Sequence, residues 1–394
     1  MPDQGHVQRL LPLIAEFARQ GHEVCVFSGV RFRADIEAAG AQFSDIFEGN
    51  PLDAVDATSI PMPSRYVTFA AVAADVVTDR IAARRPGLIV YDTFAVIAPL
   101  VARRLNVKYV AFCSGHAGVP ARSLAALSVD PRVATSDACH AAVRTLREVH
   151  DVPRASPFSY EDNLSPFLNI YGEPPQFLLP EDRAVLEPVA FFGSLAPEFR
   201  WSRATGSAFP PRARALNVYV SFGTIIWRYY RPAALAALSV IANECAGRDA
   251  QVVLGLGGHA IPSEDRAALG RQNVVVHDYV DQWSTLAEAD LFVTHHGLNS
   301  THESIYHRVP MLSYPFFADQ PPLARRCQAF GVGLPLAEAP QAPIDPAALR
   351  ATWQTFLERR ESMLARLDEV REWELATIRD RSSVTERIGA LAIP

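Results

Sequence analysis

The chain of 394 residues is too long for one ordinary hydrophobic core and suits two domains of roughly 200 residues each. Hydrophobic residues make up 49% and charged residues 20%, a globular balance, and the net charge of −6 excludes the broad basic surface that nucleic acid or an anionic membrane would need. The five cysteines, Cys25, Cys113, Cys139, Cys245 and Cys327, form no C-x-x-C pair and no regular framework, so they read as buried thiols.

Residues 1–28 predict an amphipathic helix and then a strand. Leu10, Leu11, Ile14, Phe17 and Ala18 recur at helical spacing, and Gly21 closes the helix. A helix over 31–39, a strand-like return over 40–47 and a loop over 50–64 follow. Next come a helix over 66–84, a buried strand over 88–92, a helix over 95–105 and a strand over 108–112. Strand and helix alternating in this way build a doubly wound parallel sheet, with ligands at the carboxyl ends of its strands. The apolar run 88–102 is too short to span a bilayer and carries Asp92, and the start lacks the basic region of a secretory signal. A soluble, cytoplasmic protein is expected. From 115 to 188 the pattern weakens to one helix over 137–150 and an aromatic stretch holding Phe158, Tyr160, Phe167, Tyr171 and Phe177, either core filling or an apolar pocket. Residues 191–193 end the first sheet, and 196–216 reads as a linker.

The second half restarts with a strand over 217–222 that ends in a Gly223-Thr224 turn, a helix over 232–246, and strands over 251–256 and 274–277. Gly255-Leu256-Gly257-Gly258 is too short a match to a dinucleotide fingerprint to be used. Leu291, Phe292 and Val293 then read as a buried strand that breaks at Gly297 before a helix over 300–306. A helix entered this way leaves its first N–H groups unpaired, a ready anion site. Asn299, Ser300 and Thr301 could each cap that helix instead. His295 precedes the turn, Glu303 lies one turn inside the helix, and Ala318-Asp319-Gln320-Pro321 follows the apolar run 309–317. Residues 346–376 and 382–391 predict closing helices.

THHGLNSTHE followed by PFFADQ resembles the nucleotide-sugar signature of family 1 glycosyltransferases, the group of plant secondary-metabolite glucosyltransferases and bacterial macrolide glycosyltransferases. The resemblance implies an α/β fold, GT-B, with two doubly wound Rossmann-like parallel-sheet domains facing a cleft. It implies an N-terminal acceptor-binding domain over 1–200, a nucleotide-sugar domain over 215–375, and a last helix over 376–394 crossing back to the first domain. In this fold a strand precedes the glycine-histidine turn, whereas here the sequence opens inside that turn, at Met1-Pro2-Asp3-Gln4-Gly5-His6, so the first N-terminal strand is expected to be absent, either because the start is assigned too late or because the domain folds without it.

The resemblance also assigns roles. His295, Gly297, Asn299 and Ser300 bind the diphosphate, with Thr224 in the loop beneath it; Glu303 takes the ribose hydroxyls; Asp319 and Gln320 hold the sugar. Tyr279 stands where relatives stack a tryptophan on uracil, followed by Val280 and Gln282; packing between strands is the alternative. His6 is the expected base, since an imidazole's ordinary pKa near 6.5 suits that work. Asp92 would hold the imidazolium as it forms, unless it merely caps the helix that follows.

The expected reaction is an inverting, metal-independent transfer of a hexose, with UDP-glucose ahead of dTDP-deoxysugars, to a hydroxyl of an apolar small molecule such as a polyketide, macrolide or phenolic. The partners are that nucleotide-sugar donor and that acceptor; no cofactor, nucleic acid or stable membrane insertion is expected, and the chain would be a monomer or weak dimer. No D-x-D motif is present to carry a metal, and among His295, His296, His302 and His307 the spacing does not suit a zinc site. A nucleotide-sugar epimerase and a non-catalytic nucleotide-sugar-binding partner are the alternatives.

Overall fold

A computed structural model describes residues 4–116, 120–197 and 206–392. The chain divides into two units, Met1–Ala196 with Thr377–Pro394, and Pro197–Ala376. Each is built on parallel β-strands flanked by helices, the α/β architecture that alternating strand and helix periodicity demands.

In the first unit β1 (Cys25–Ser28) pairs with β2 (Gln42–Asp45). A separate sheet runs β3 (Ile89–Asp92), β4 (Tyr109–Cys113), β5 (Asn169–Tyr171) and β6 (Val189–Phe191) in that order, all parallel. Among the described residues no strand precedes the helix Gln4–Arg19, and β1 and β3 each have a strand partner on one side only. That helix buries Val7, Leu11 and Ile14 along one stripe and Leu13 on the neighbouring face. Leu13 joins Val110, Phe112, Ile170, Phe192, Val384 and Ile388 in one apolar cluster, so the helix Arg381–Gly389 is part of this unit's core.

The second unit has six parallel strands: β7 (Leu216–Ser221), β8 (Ala250–Gly255), β9 (Val274–His277), β10 (Leu291–Thr294), β11 (Met311–Ser313) and β12 (Gly333–Pro335). Their order is β12-β11-β10-β7-β8-β9. The chain winds outward from β7 through β9, then returns to build the other side from β10. Between β7 and β10 the winding reverses, so the loops leaving these neighbours diverge and open a crevice at their carboxyl ends. Thr294 is the register partner of Ser221, which brings the turns after both strands side by side.

Several expectations are corrected. Residues 50–64 hold a short helix, Leu52–Val55, where a plain loop was expected. The weak stretch 115–188 contains β5 and the helices Pro120–Val129 and Pro180–Leu186, too short and too uniformly apolar or polar to show a period. Part of the expected linker, 198–205, lies outside the described residues. All five cysteines are free; four are buried and Cys25 is half-buried. No helix among the described residues is long and apolar enough to cross a membrane.

Candidate functional site

In the first unit the chemistry gathers at the carboxyl end of β3. Asp92 is the strand's last residue, and His6 sits in the first turn of the helix Gln4–Arg19, with its Nδ1 2.8 Å from Asp92 Oδ2. A carboxylate can only accept, so Nδ1 carries the proton and the lone pair is left on Nε2. The Ser114 hydroxyl, one residue past β4, donates to the same Oδ2, and the Phe94 backbone N–H donates to Oδ1 at 2.8 Å. Burial opposes ionisation of Asp92, but His6 and then Ser114 outweigh it and hold the carboxyl well below the usual range. Asp92 does not cap the next helix, which begins at Ile97 after Val96; its carboxylate closes the turn before it. The Phe94 ring lies 4.3 Å from the His6 imidazole, tilted by 34°. Sequence reasoning missed Ser114 and Phe94. Only pairing between β3 and β4 brings Ser114 to Asp92, whereas Phe94, two residues from Asp92, was near enough in sequence to be suspected.

In the second unit the crevice between β7 and β10 holds His295, 8% exposed. Its imidazole is wedged between two glycines. A Cβ on Gly223 would stand 2.7 Å from the ring, and one on Gly297 would reach 2.9 Å from Cε1 and closer to Nε2. The glycines are therefore demanded by the ring, and Gly223 also has a positive φ of 69°. Burial pushes His295 down to about 4 against a weaker pull from the Ser221 backbone, so the ring is neutral, and its buried Nδ1 makes no hydrogen bond of good geometry. Gly297 itself occupies the cap position of the helix Leu298–Tyr306 and supplies no side-chain cap, so Asn299, Ser300 and Thr301 do not cap it; they lie in its first turn. Uncapped N–H groups and a buried imidazole thus meet at one turn.

One helical turn on, Glu303 accepts a 2.7 Å hydrogen bond from Gln282 Nε2, which also reaches Ser300 Oγ at 3.2 Å. Burial pushes the Glu303 carboxyl up to about 7, against the pull of the Gln282 amide. Asp281 caps the helix Gln282–Leu286 by accepting from Ser284 N–H, which sets Gln282 at the helix start. Val280 is buried and packs toward Gly255, where a Cβ would lie 3.3 Å from its Cγ2, while Tyr279 is 42% exposed. At that exposure the Tyr279 ring is not packed between strands. Thr224 lies in the turn after β7, half-buried beside Gly223. Half-buried Asp319 takes the cap position of the helix Gln320–Ala329, with Pro321 and Pro322 in its first turn. Gln320 is buried, and its carboxamide oxygen accepts from Phe316 N–H at 2.9 Å, so that oxygen braces the loop.

The other histidines are structural. His296, at a positive φ of 61°, lies 3.1 Å from Thr301 Oγ1 and 2.7 Å from Ser313 Oγ, and burial pushes it down to about 3. His302 Nδ1 pairs with Glu374 in the interior. His307 packs on Trp283, ring centroids 4.5 Å apart. Among the described residues no three His, Cys, Asp or Glu side chains form a group that could hold a metal ion.

Known proteins place this arrangement. A family model for UDP-glucoronosyl and UDP-glucosyl transferase matches residues 216–342, which span both β7 and the helix after His295. The chain is 24% identical over 347 residues, 84% of its length and 83% of the relative's, to the uncharacterized UDP-glucosyltransferase YdhE of Bacillus subtilis. Its fold is similar to the crystal structure of the glycotransferase of kitacinnamycin, with a TM-score of 0.73, 23% identity, and 98% of this chain and 96% of that one covered. It is also similar to the spinosyn rhamnosyltransferase SpnG complexed with thymidine diphosphate, with a TM-score of 0.66, 19% identity and 98% of each chain covered. The signature read in the sequence, the family model matched over residues 216–342 and the shared architecture agree: the chain has the GT-B fold and is similar to the family 1 glycosyltransferases.

Proposed function

We propose that the protein transfers a hexose from a UDP-sugar to a hydroxyl of an apolar small molecule, with inversion at the anomeric carbon and without a metal. The observation that carries this reading is the turn at His295. A neutral, buried imidazole, wedged by two glycines against the uncapped start of a helix, sets that helix's free N–H groups where negative charge builds on a departing diphosphate. Glu303 and Gln282 beside it supply the acceptor and amide groups for ribose hydroxyls, and Tyr279 the surface for a base.

In this reading the acceptor hydroxyl gives its proton to His6 Nε2 as its oxygen bonds to the anomeric carbon and the carbon–diphosphate bond breaks. Asp92 then faces an imidazolium already held by a 2.8 Å hydrogen bond, so the charge forms where its partner waits. Thr224, Asn299 and Ser300 are the expected diphosphate contacts, and Asp319 and Gln320 the contacts of the sugar. The relatives divide on the nucleotide: YdhE is named a UDP-glucosyltransferase, while SpnG was solved with thymidine diphosphate. Support for ribose comes from the Gln282–Glu303 pair, which offers a carboxylate to a vicinal diol. Polyketide, macrolide and phenolic hydroxyls are the acceptor class proposed, and the glycotransferase of kitacinnamycin and SpnG, the latter named for spinosyn, are in keeping with it.

The test is a panel of such acceptors incubated with UDP-glucose or dTDP-glucose and scored by mass for a hexose increment. Product with UDP-glucose is the expected result. Hydrolysis or rearrangement of the sugar in the absence of any acceptor, with no conjugate formed, would replace this reading with an epimerase.

A further inference from the structure

Asp92 holds the His6 imidazole at one atom, Nδ1, through a 2.8 Å hydrogen bond. A ring held at one atom can still swing about that point, and the His6 side chain, 18% exposed, is not boxed in by its surroundings. Phe94 supplies a second constraint. Its ring centroid lies 4.3 Å from that of the imidazole with 34° between planes, too close and too shallow for an edge-to-edge meeting, so the two rings meet by their faces. The Phe94 ring is itself placed. Its backbone N–H donates to Asp92 Oδ1 at 2.8 Å, so one turn carries both the carboxylate that grips the imidazole and the ring that lies against it. Tyr160, 3% exposed, meets Phe94 edge-on with centroids 5.3 Å apart and 74° between planes, and it belongs to the apolar cluster on which Phe94 packs. Buried Tyr66 lies 6.5 Å away. Asn163 Nδ2 donates to the Thr93 carbonyl at 2.8 Å, and the Asn163 carbonyl accepts from Tyr91 Oη at 3.0 Å, which ties the turn to the segment that carries Tyr160.

The face of a phenyl ring is negative, and a cation within about 6 Å of its centroid is attracted to it. A neutral imidazole gains little from that field and an imidazolium gains more, so the contact strengthens as the proton arrives. We propose that Phe94 is a positioning residue for the transfer: its ring sets the plane of the His6 imidazole and stabilises the imidazolium formed when the acceptor hydroxyl gives its proton to Nε2. The inference rests on the reading of His6 as the base.

The experiment measures kcat and acceptor KM for the full chain and its variants, with the donor and acceptor that the mass panel shows to react. Phe94→Leu, which keeps apolar bulk and removes the aromatic face, should lower kcat by about tenfold with acceptor KM within about twofold of wild type. Phe94→Tyr, which keeps the face, should recover kcat to within about threefold. In a His6→Ala background, Phe94→Leu should cost less than about twofold more, because a residue that acts through His6 then has nothing to position. A raised acceptor KM at unchanged kcat gives the ring to the acceptor and overturns the proposal. Equal losses in the two backgrounds, or a Phe94→Tyr chain no faster than Phe94→Leu, mark packing alone and overturn it as well. If Phe94→Leu does not fold, Phe94→Met, flexible enough to fill the same space, is read against the same outcomes. A His6→Ala chain as fast as wild type, or a wild-type chain that conjugates no acceptor, strikes the reading of the site itself, a result that no Phe94 variant could produce.

Discussion

Asp92 makes every hydrogen bond its two oxygens need from His6, Ser114 and the Phe94 backbone, so it is a fixed acceptor rather than a mobile acid. Replacing His6 by Ala should lower kcat by about 10²–10⁴ while UDP affinity, read by titration, holds; an unchanged kcat removes His6 from its role. Glu303 gives a pH signature. Its folded pKa is raised from 4.5 to about 7, so its contribution to stability is full below about 4.5 and is lost as pH rises through about 7. Ribose hydroxyls donate to the ionised form, so UDP-glucose affinity should rise by up to about tenfold between roughly pH 6 and 8. In Glu303→Gln that pH dependence should disappear; a persistent rise would assign the titration to another group. His6, Glu303 and His295 were singled out in the sequence by the resemblance to the family 1 signature. Ser114 was not, since its link to Asp92 spans 22 positions and exists only through strand pairing.

The turn after β10 works as an element because three parts must fit together: the strand end, the His295 ring and the start of the helix Leu298–Tyr306. A methyl group on Gly297 meets the ring head-on, and any shift takes the ring and the first helical N–H groups apart. Gly297→Ala should therefore weaken UDP binding by tenfold or more, an order-of-magnitude expectation for loss of charge-assisted hydrogen bonds. Calorimetric titration checks it; wild-type affinity in Gly297→Ala would show that the anion is held elsewhere. The helix itself was read from its apolar spacing, but its start was placed two residues late. Asn, Ser and Thr look like caps in sequence, and only the backbone shows that Gly297 takes the position.

Across the whole molecule, the last helix belongs to the core of the first unit. Val384 and Ile388 are buried with Phe112, Ile170 and Phe192, Arg381 Nε donates to the Phe192 carbonyl at 3.1 Å, and Gln20 donates to Thr385 at 2.7 Å. Deleting 377–394 removes both apolar side chains, uncovers Phe112, Ile170 and Phe192, and takes Arg381 from the Phe192 carbonyl, a loss of about 3–6 kcal/mol from the two side chains alone. Thermal unfolding of the truncated chain should show the transition of the first unit lowered or absent; an unshifted transition would mean that the helix contributes nothing to that core.

What the sequence determined by itself was local and periodic: the alternation of strand and helix that makes both sheets parallel, and the glycine turn entering a helix. These follow from side-chain spacing and backbone freedom, which act over a few residues, whereas the roles expected of His6, Asp92, His295 and Glu303 came from the resemblance to a family signature. Tertiary structure alone decided that Asp92 receives Ser114, that Gly223 and Gly297 grip one imidazole, that Gly257 lies on Gly223, and that the end of the chain completes the first core. Such contacts depend on strand order and close packing between distant segments, and no period or motif within one segment records them.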